Sequence, residues 1–267
     1  MTRCPLLLPQ KRPSPQTHLN VGVSSQNPTM ELLQLQGREL ASAARPEDYI
    51  RWAESELQRG AESDALAVLA GLDLEGPPDS VEVKEYFRLS LKELDLDIAP
   101  SPETALRAYA TEICESVLDE DLEPLAAVGQ FTQIYRATNY ASQYSLWDLL
   151  DDDISIVQSG YSPFHNRSLE RGNINRFVKL VAGQYIKLLE ADLPSDFWNA
   201  SICTSCGLVG ESATRRAEKT WLPEPLFRLL FRRRPYHRFY CSHCDSLEVL
   251  SMSDYDGRER YLNAVES

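Results

Sequence analysis

Residues 203–207 read Cys-Thr-Ser-Cys-Gly, and residues 241–245 read Cys-Ser-His-Cys-Asp. Two residues between a pair of cysteines let one tight turn direct both sulfurs to the same point, and two such turns supply the four ligands of a tetrahedral zinc site. Gly207 suits the exit from the first turn, because the chain often needs a positive φ there. The spacing therefore predicts one structural Zn²⁺ ion on the thiolates of Cys203, Cys206, Cys241 and Cys244.

This pattern resembles a zinc ribbon over residues 200–252. Short apolar stretches around the cysteine pairs, at 208–209, 239–240 and 247–252, are predicted as strands. The chain departs from the familiar ribbon in its spacer, because 34 residues separate the pairs, whereas about 15–20 are usual. An insertion at 211–236 accounts for the excess if its two ends meet.

The same cysteines are compatible with other chemistry. Iron also suits four thiolates, and a segment without any metal is a further alternative. Two independent redox pairs would each need a helix N-terminus, which the surrounding pattern does not indicate. Four thiolates fill a tetrahedral shell, so we expect a structural ion rather than a catalytic one. His243 lies inside the second turn and is expected to face solvent, because four thiols are already available.

Residues 1–29 are predicted to be a disordered leader, because prolines alternate there with polar residues and no apolar period is present. Met30 opens the first helical pattern, and we hypothesise that it is the true start of the protein. No apolar run reaches the roughly 20 residues needed to cross a bilayer. Together with the absence of a secretory signal, this favours the cytoplasm, where the six cysteines would stay reduced.

Residues 30–194 are predicted to form an acidic α-helical domain, because apolar side chains recur there at intervals of three and four residues. Residues 144–157 are predicted as two short helical turns, with a strand at 154–158 as the alternative. One further helix is predicted to begin at Met30. Six others are predicted at about 46–60, 63–71, 79–94, 102–118, 124–137 and 174–189.

The predicted fold class is mainly α. An α-helical bundle or short helical stack of four or five helices is followed by a small zinc-binding β module, which makes the fold α+β overall. The zinc-ribbon-like domain is assigned to residues 195–267, with a basic insertion at 211–238.

Charge is unevenly distributed along the chain, whose net charge is −13. Residues 46–160 hold 25 acidic residues against 7 basic ones, while residues 211–240 hold 8 basic residues against 3 acidic ones. The basic insertion is therefore a candidate contact surface for nucleic acid, a protein or an anionic membrane. Alternatively, its Leu and Phe side chains dock on the acidic helical body. The candidate contact residues are Trp221, Arg228, Arg232, Arg233, Arg234 and Arg238.

Familiar catalytic patterns do not occur in the sequence. It has no phosphate-binding loop, dinucleotide fingerprint, Gly-x-Ser-x-Gly or His-Glu-x-x-His motif. Asp151, Asp152 and Asp153 are adjacent and cannot all face one point on a helix or strand, so we expect a solvated turn or helix cap. Cys114 is expected to be a small buried side chain, and Cys4 has no assigned role.

We therefore expect a non-enzymatic protein that binds another macromolecule. The acidic body favours a protein partner, and its charge is similar to that of small acidic helical proteins that neutralise toxins in bacteria, although no motif carries that similarity. The alternative is a nucleic-acid-binding or regulatory protein that acts through the zinc-ribbon-like tail and its basic insertion. A third hypothesis is an enzyme, which would need a deep pocket in the helical body, lined by polar groups with perturbed pKa values.

Overall fold

The computed structural model describes residues 29–74, 76–96, 101–191, 193–194, 196–216, 222–231 and 237–265 of the chain. The described residues form two compact units. The helical unit contains residues 29–151 and 174–189, and the C-terminal unit contains residues 152–173 and those from 190 onward. The predicted leader lies outside the described residues, apart from Thr29.

The helices predicted before residue 190 are present, with small shifts at their ends. Within the described ranges they are α1 (Met30–Leu40), α2 (Pro46–Gln58), α3 (Asp64–Ala70), α4 (Ser80–Glu93), α5 (Pro102–Leu118), α6 (Pro124–Ala137), α7 (Ser145–Gln158) and α8 (Ile174–Glu190). Ser63, Asp79 and Ser101 are the N-caps of α3, α4 and α5, because their side chains accept hydrogen bonds from first-turn N–H groups. The mainly α fold class is confirmed. In the part of the chain that the structure describes, every helix falls short of the length or apolarity that a membrane span requires.

One apolar core holds α1 to α4 together. Its buried members are Leu32, Leu35, Tyr49, Ile50, Trp52, Ala53, Leu66, Leu69, Val83, Phe87 and Leu91. The α1 helix also packs closely on α5, because a Cβ atom at Gly37 would lie only 2.3 Å from the Ala105 carbonyl oxygen. Arg38 adds ion pairs from α1 to Asp48 and to Glu112.

Three buried aromatic rings join α6, α7 and α8. Phe131 and Trp147 stack with their centroids 4.0 Å apart, and Tyr185 meets them edge-on at 5.5 and 5.7 Å. All three side chains are fully buried. The α8 helix therefore belongs to the core of the helical unit, although residues 152–173, which precede it in the chain, belong to the C-terminal unit.

The C-terminal unit contains two small antiparallel sheets. Its elements are β1 (Ser201–Cys203), β2 (Val209–Gly210), β3 (Ala213–Arg216), α9 (Glu224–Phe231), β4 (His237–Tyr240), β5 (Val249–Ser251) and α10 (Tyr255–Val265). One sheet has the order β2-β1-β5, and the other pairs β3 with β4. The predicted strands are confirmed as β2, β4 and β5, whereas β1, β3 and α10 were not predicted.

The β3–β4 pair closes the insertion between the cysteine turns. Its register runs from Ala213 opposite Tyr240 to Arg216 opposite His237. The two ends of the insertion therefore meet, as the long spacer requires. Doubling the length of a closed loop raises the entropic cost of closing it by only about 0.6 kcal/mol. The pairing of two four-residue strands can offset a cost of that size.

The helical conformation predicted for residues 144–157 is confirmed, but the division into two short turns and the alternative of a strand at 154–158 are wrong. A short 3-10 turn at Ser142–Tyr144 leads into the single helix α7, and residues 154–158 form its last turns rather than a strand. The reason is a continuous helical period in the apolar residues. Its buried members are Leu146, Trp147, Leu150, Ile154 and Val157.

Asp153 organises the C-terminal unit from the buried side of α7. Its side chain is fully buried, and its carboxylate accepts hydrogen bonds from the backbone N–H groups of Phe164, His165 and Asn166 at 2.7–3.3 Å. The Asn166 side chain also donates to it at 3.0 Å and accepts the N–H of Tyr255 at 3.1 Å, where α10 begins. The expectation of a solvated aspartate cluster is therefore wrong for Asp153.

The neighbours of Asp153 behave as expected, because Asp151 and Asp152 are exposed. The bonds made by Asp153 lie within the C-terminal unit, which includes residues 152–173. The sequence instead assigns those residues to the domain 30–194, because their helical pattern continues that of the preceding helices.

Replacing Asp153 with Ala should lower the free energy of unfolding by about 3–5 kcal/mol, because the N–H groups of Phe164, His165 and Asn166 lose their charged acceptor. Urea titration followed by circular dichroism measures the change. Asp152→Ala, one residue away and exposed, should stay within about 0.5 kcal/mol of the wild type. Equal midpoints for the two variants would contradict the anchoring role of Asp153.

Candidate metal centre

Both cysteine turns have the same backbone geometry. In each turn, the residue after the second cysteine donates to the carbonyl of the first, from Gly207 to Cys203 at 2.8 Å and from Asp245 to Cys241 at 3.0 Å. Those two donors have positive φ, +75° at Gly207 and +58° at Asp245. The prediction of a left-handed residue at Gly207 is confirmed, and Asp245 repeats it in the second turn.

Strand pairing and side chains hold the two turns against each other. The β1 strand ends at Cys203 and pairs with β5, which follows the second turn. The hydroxyl oxygens of Ser205 and Ser246 lie 2.8 Å apart. Thr204 donates its backbone N–H and its hydroxyl to the carbonyl of Glu248, at 2.9 and 3.1 Å. Sequence reasoning missed these links, because Ser, Thr and Glu are common in any surface turn.

The four sulfur atoms of Cys203, Cys206, Cys241 and Cys244 lie within 4.8 Å of one another. The Sγ atoms of Cys203 and Cys244 are 3.6 Å apart, and those of Cys206 and Cys241 are 3.7 Å apart. Four sulfurs at ~2.3 Å from a tetrahedral zinc ion would be separated by ~3.8 Å. A disulfide needs ~2.05 Å, and all four cysteines are free. The donor set therefore fits a single tetrahedral ion.

Backbone N–H groups and burial set the charge of these thiols. Burial alone raises the pKa of Cys203, but the N–H groups of Cys206 and Ser205 outweigh it and lower that pKa to about 7. Burial raises the pKa of Cys206 to about 12. Neighbouring thiolates repel each other, so four of them are compatible only when a cation lies between them.

The remaining predicted features near the cysteines can be placed as well. His243 is exposed, as expected, and it is not among the clustered ligands. Cys114 is fully buried on α5, also as expected, and burial raises the pKa of its thiol well above the ordinary value. Cys4 lies outside the described residues.

The candidate contact surface is described in part. Arg228 and Arg238 are exposed. Phe227 of α9 is 3% exposed, whereas four other apolar side chains of the helix are between 46% and 75% exposed. The alternative that the Leu and Phe side chains of the insertion dock on the acidic helical body stays a prediction. The candidate residues outside the described ranges are Trp221, Arg232, Arg233 and Arg234.

A groove of about 640 Å³ lies along α1 and α4 in the helical unit. Phe87 and Leu91 supply its apolar wall, and Glu39, Lys84 and Arg88 are among its charged residues. Among the residues that the structure describes, its lining includes no Ser, Cys or His. The groove therefore lacks the nucleophile and imidazole base that hydrolytic sites commonly combine.

Gly207→Ala should weaken metal binding roughly tenfold, because an L-residue in the left-handed conformation costs about 1–2 kcal/mol. The matched change Asp245→Gly, at the equivalent position of the second turn, should leave the affinity unchanged or raise it. Competition with a chromophoric chelator measures both affinities. If the two substitutions weakened binding equally, the backbone conformation would not be the reason.

Comparison of the chain with family models, curated proteins and solved structures found no match. The functional assignment therefore rests on the geometry of the chain's own residues.

Proposed function

We propose that the four cysteines bind one zinc ion with a structural role, and that the protein acts by binding another protein rather than by catalysis. The zinc assignment is supported by the convergence of the sulfurs of Cys203, Cys206, Cys241 and Cys244 within 4.8 Å. Zinc suits this donor set because its filled d shell imposes no geometry of its own, and tetrahedral thiolate sites are its usual structural sites. A shell of four thiolates has no open position for a substrate.

The small size of the sheets supports a structural role for the ion. The strands of the C-terminal unit are two to four residues long, and pairings of this size are marginal in water. Bonds from one ion to both turns would join segments that lie far apart in the sequence. In small metal-binding domains, the free energy of metal binding is largely free energy of folding.

The wild-type protein should contain one zinc ion per chain, and Cys241→Ser should lower its zinc affinity at least about 100-fold, roughly 3 kcal/mol. Elemental analysis of purified protein, combined with chelator competition, tests both statements. Near-ultraviolet circular dichroism should show that Cys241→Ser also loses tertiary order, because the two turns are no longer joined.

The control for this experiment is Cys114→Ala, whose thiol lies on α5 in the helical unit and should not affect zinc content. Wild-type protein without metal, or with iron in place of zinc, would overturn the zinc assignment. Equal zinc affinity in wild type and Cys241→Ser would show that the four thiols do not act as one site.

The proposed protein partner is supported by the surface charge of the helical unit. The helical unit, residues 29–151 and 174–189, carries 25 acidic side chains against 12 basic ones, so about half of its carboxylates have no cation of the same unit to pair with. Glu54, Glu85 and Glu115, on α2, α4 and α5, are all exposed. A surface of one sign attracts oppositely charged partners and speeds their association. We therefore propose a basic protein as the partner, of which a toxin neutralised by this chain is one example.

The triple variant Glu54→Gln/Glu85→Gln/Glu115→Gln should lose most of the partner retained by the wild-type protein, because the substitutions keep the shape and remove three charges. Affinity purification from the native cells, followed by mass spectrometry and a salt titration, measures this. The matched variant Glu170→Gln/Glu211→Gln removes exposed carboxylates of the C-terminal unit and should retain the partner. A co-purifying protein that is acidic, or equally retained by all variants, would argue against the acidic surface as the contact.

A further inference from the structure

The four clustered cysteines differ in their exposure to solvent. Cys203 and Cys241, which begin the two turns, are 1% and 4% exposed. Cys206 is half-buried, and Cys244 is the exposed member of the cluster. The reactivity of a thiolate toward an oxidant depends on access as well as on charge. An oxidant dissolved in water therefore reaches the sulfur of Cys244 before it reaches the other three.

A second sulfur lies next to that of Cys244. The Sγ atoms of Cys203 and Cys244 are 3.6 Å apart, although the two residues belong to different turns and are 41 positions apart in the sequence. The sulfurs of a disulfide are ~2.05 Å apart, so these two must approach by about 1.5 Å. Rotation about the Cα–Cβ bonds of the two side chains supplies a movement of this size. Cys203 is therefore placed to react with an oxidised Cys244.

The backbone around this pair is held by contacts that involve no sulfur. The β1 strand pairs with β5, and Thr204 donates its backbone N–H and its hydroxyl to the carbonyl of Glu248. The other two sulfurs, of Cys206 and Cys241, also face each other between the turns, at 3.7 Å. Both of these sulfur pairs thus connect one turn with the other, as a bound metal ion would.

We propose that Cys244 is a site of oxidation by peroxides, and that Cys203 then joins it in a disulfide that releases the metal ion. This inference rests on the proposed zinc site and adds a means of releasing the ion. The disulfide links the same two turns as the ion and constrains the unfolded chain. The C-terminal unit therefore keeps its turns joined when the ion leaves, and a thiol reductant restores the four ligands.

The reaction has two steps. The Cys244 thiolate attacks one oxygen of hydrogen peroxide, the O–O bond breaks, and a sulfenic acid and a hydroxide ion form. The Cys203 thiolate then attacks the Cys244 sulfur, so that the S–S bond forms and the S–O bond breaks with loss of a second hydroxide. Two electrons pass from the thiolates to the peroxide. Only two of the four zinc ligands remain, and the ion dissociates.

Peroxide titration of the full-length protein, reconstituted with zinc, tests the proposal. A chromophoric zinc indicator records the released ion, and peptide mass spectrometry after alkylation identifies each disulfide. The Cys203–Cys244 disulfide should be the first to form and should increase in step with the released zinc. Cys114 should remain a free thiol, because it is fully buried on α5. Addition of a thiol reductant with zinc should reverse both changes.

Cys244→His separates metal binding from oxidation at this position, because an imidazole can ligate zinc but cannot form a disulfide. This variant should slow the peroxide-dependent release of zinc about tenfold or more. The matched variant Cys206→His makes the same ligand exchange at the half-buried cysteine and keeps the reacting pair. Its release should stay within about twofold of the wild-type rate.

A first disulfide within one turn, or between Cys206 and Cys241, would overturn the proposal. Release at the wild-type rate from Cys244→His would do so as well, as would peroxide treatment that leaves the zinc and the thiols unchanged. The zinc bound before peroxide is added reports on the proposed zinc site. The first disulfide is identified whether or not zinc is bound, so failure of the zinc assignment is distinguishable from failure of this inference.

Discussion

The convergence of four sulfur atoms is the constraint on which the C-terminal unit depends. Cys203 and Cys241 begin two turns with the same hydrogen bonds, and the residues that leave those turns, Gly207 and Asp245, share a left-handed backbone conformation. This repetition lets two distant segments of the chain point their sulfurs at one place. Strand pairings of two to four residues are marginal in water, and an ion bound by the four sulfurs would stabilise them.

A buried polar network provides a second point of organisation in the same unit. Asp153 collects three backbone N–H groups from residues 164–166, and Asn166 extends the network to the start of α10. Arg258 is also buried, and it donates to the carbonyls of Met252 and Ser253 at 3.1 and 2.7 Å. These groups carry charge into the interior, which is tolerated because each of them is hydrogen-bonded there.

The two units differ in how their surfaces are built. The helical unit buries an apolar core and exposes many carboxylates, so its surface favours long-range attraction of basic ligands. The C-terminal unit differs at α9, where Leu226, Leu229 and Leu230 are exposed. They lie within residues 211–240, which carry 8 basic side chains against 3 acidic ones. A ligand of α9 would bury apolar side chains as well as meet basic ones. A ligand of the helical unit would be bound mainly by charge, so its affinity would fall as the salt concentration rises.

Sequence alone determined the features that depend on local patterns. Helical periodicity located the first helices, because this signal acts within a few residues. The Cys-x-x-Cys spacing identified the four clustered sulfurs for the same reason, since each pair lies in one turn. The long spacer could be accepted from chain-entropy arguments, and the β3–β4 pairing later supplied the closure.

Only the tertiary structure decided which long-range contacts are made. The helical period of α7 places Asp153 on the apolar side of the helix, but the sequence does not show which groups it binds there, because its donors lie in a loop more than ten residues away. Contacts between residues distant in the sequence also decide that residues 152–173 group with the C-terminal unit and that α9 is exposed. Local periodicity shows which side of a helix is apolar, but the neighbours that cover or leave open that side are set by packing between distant segments.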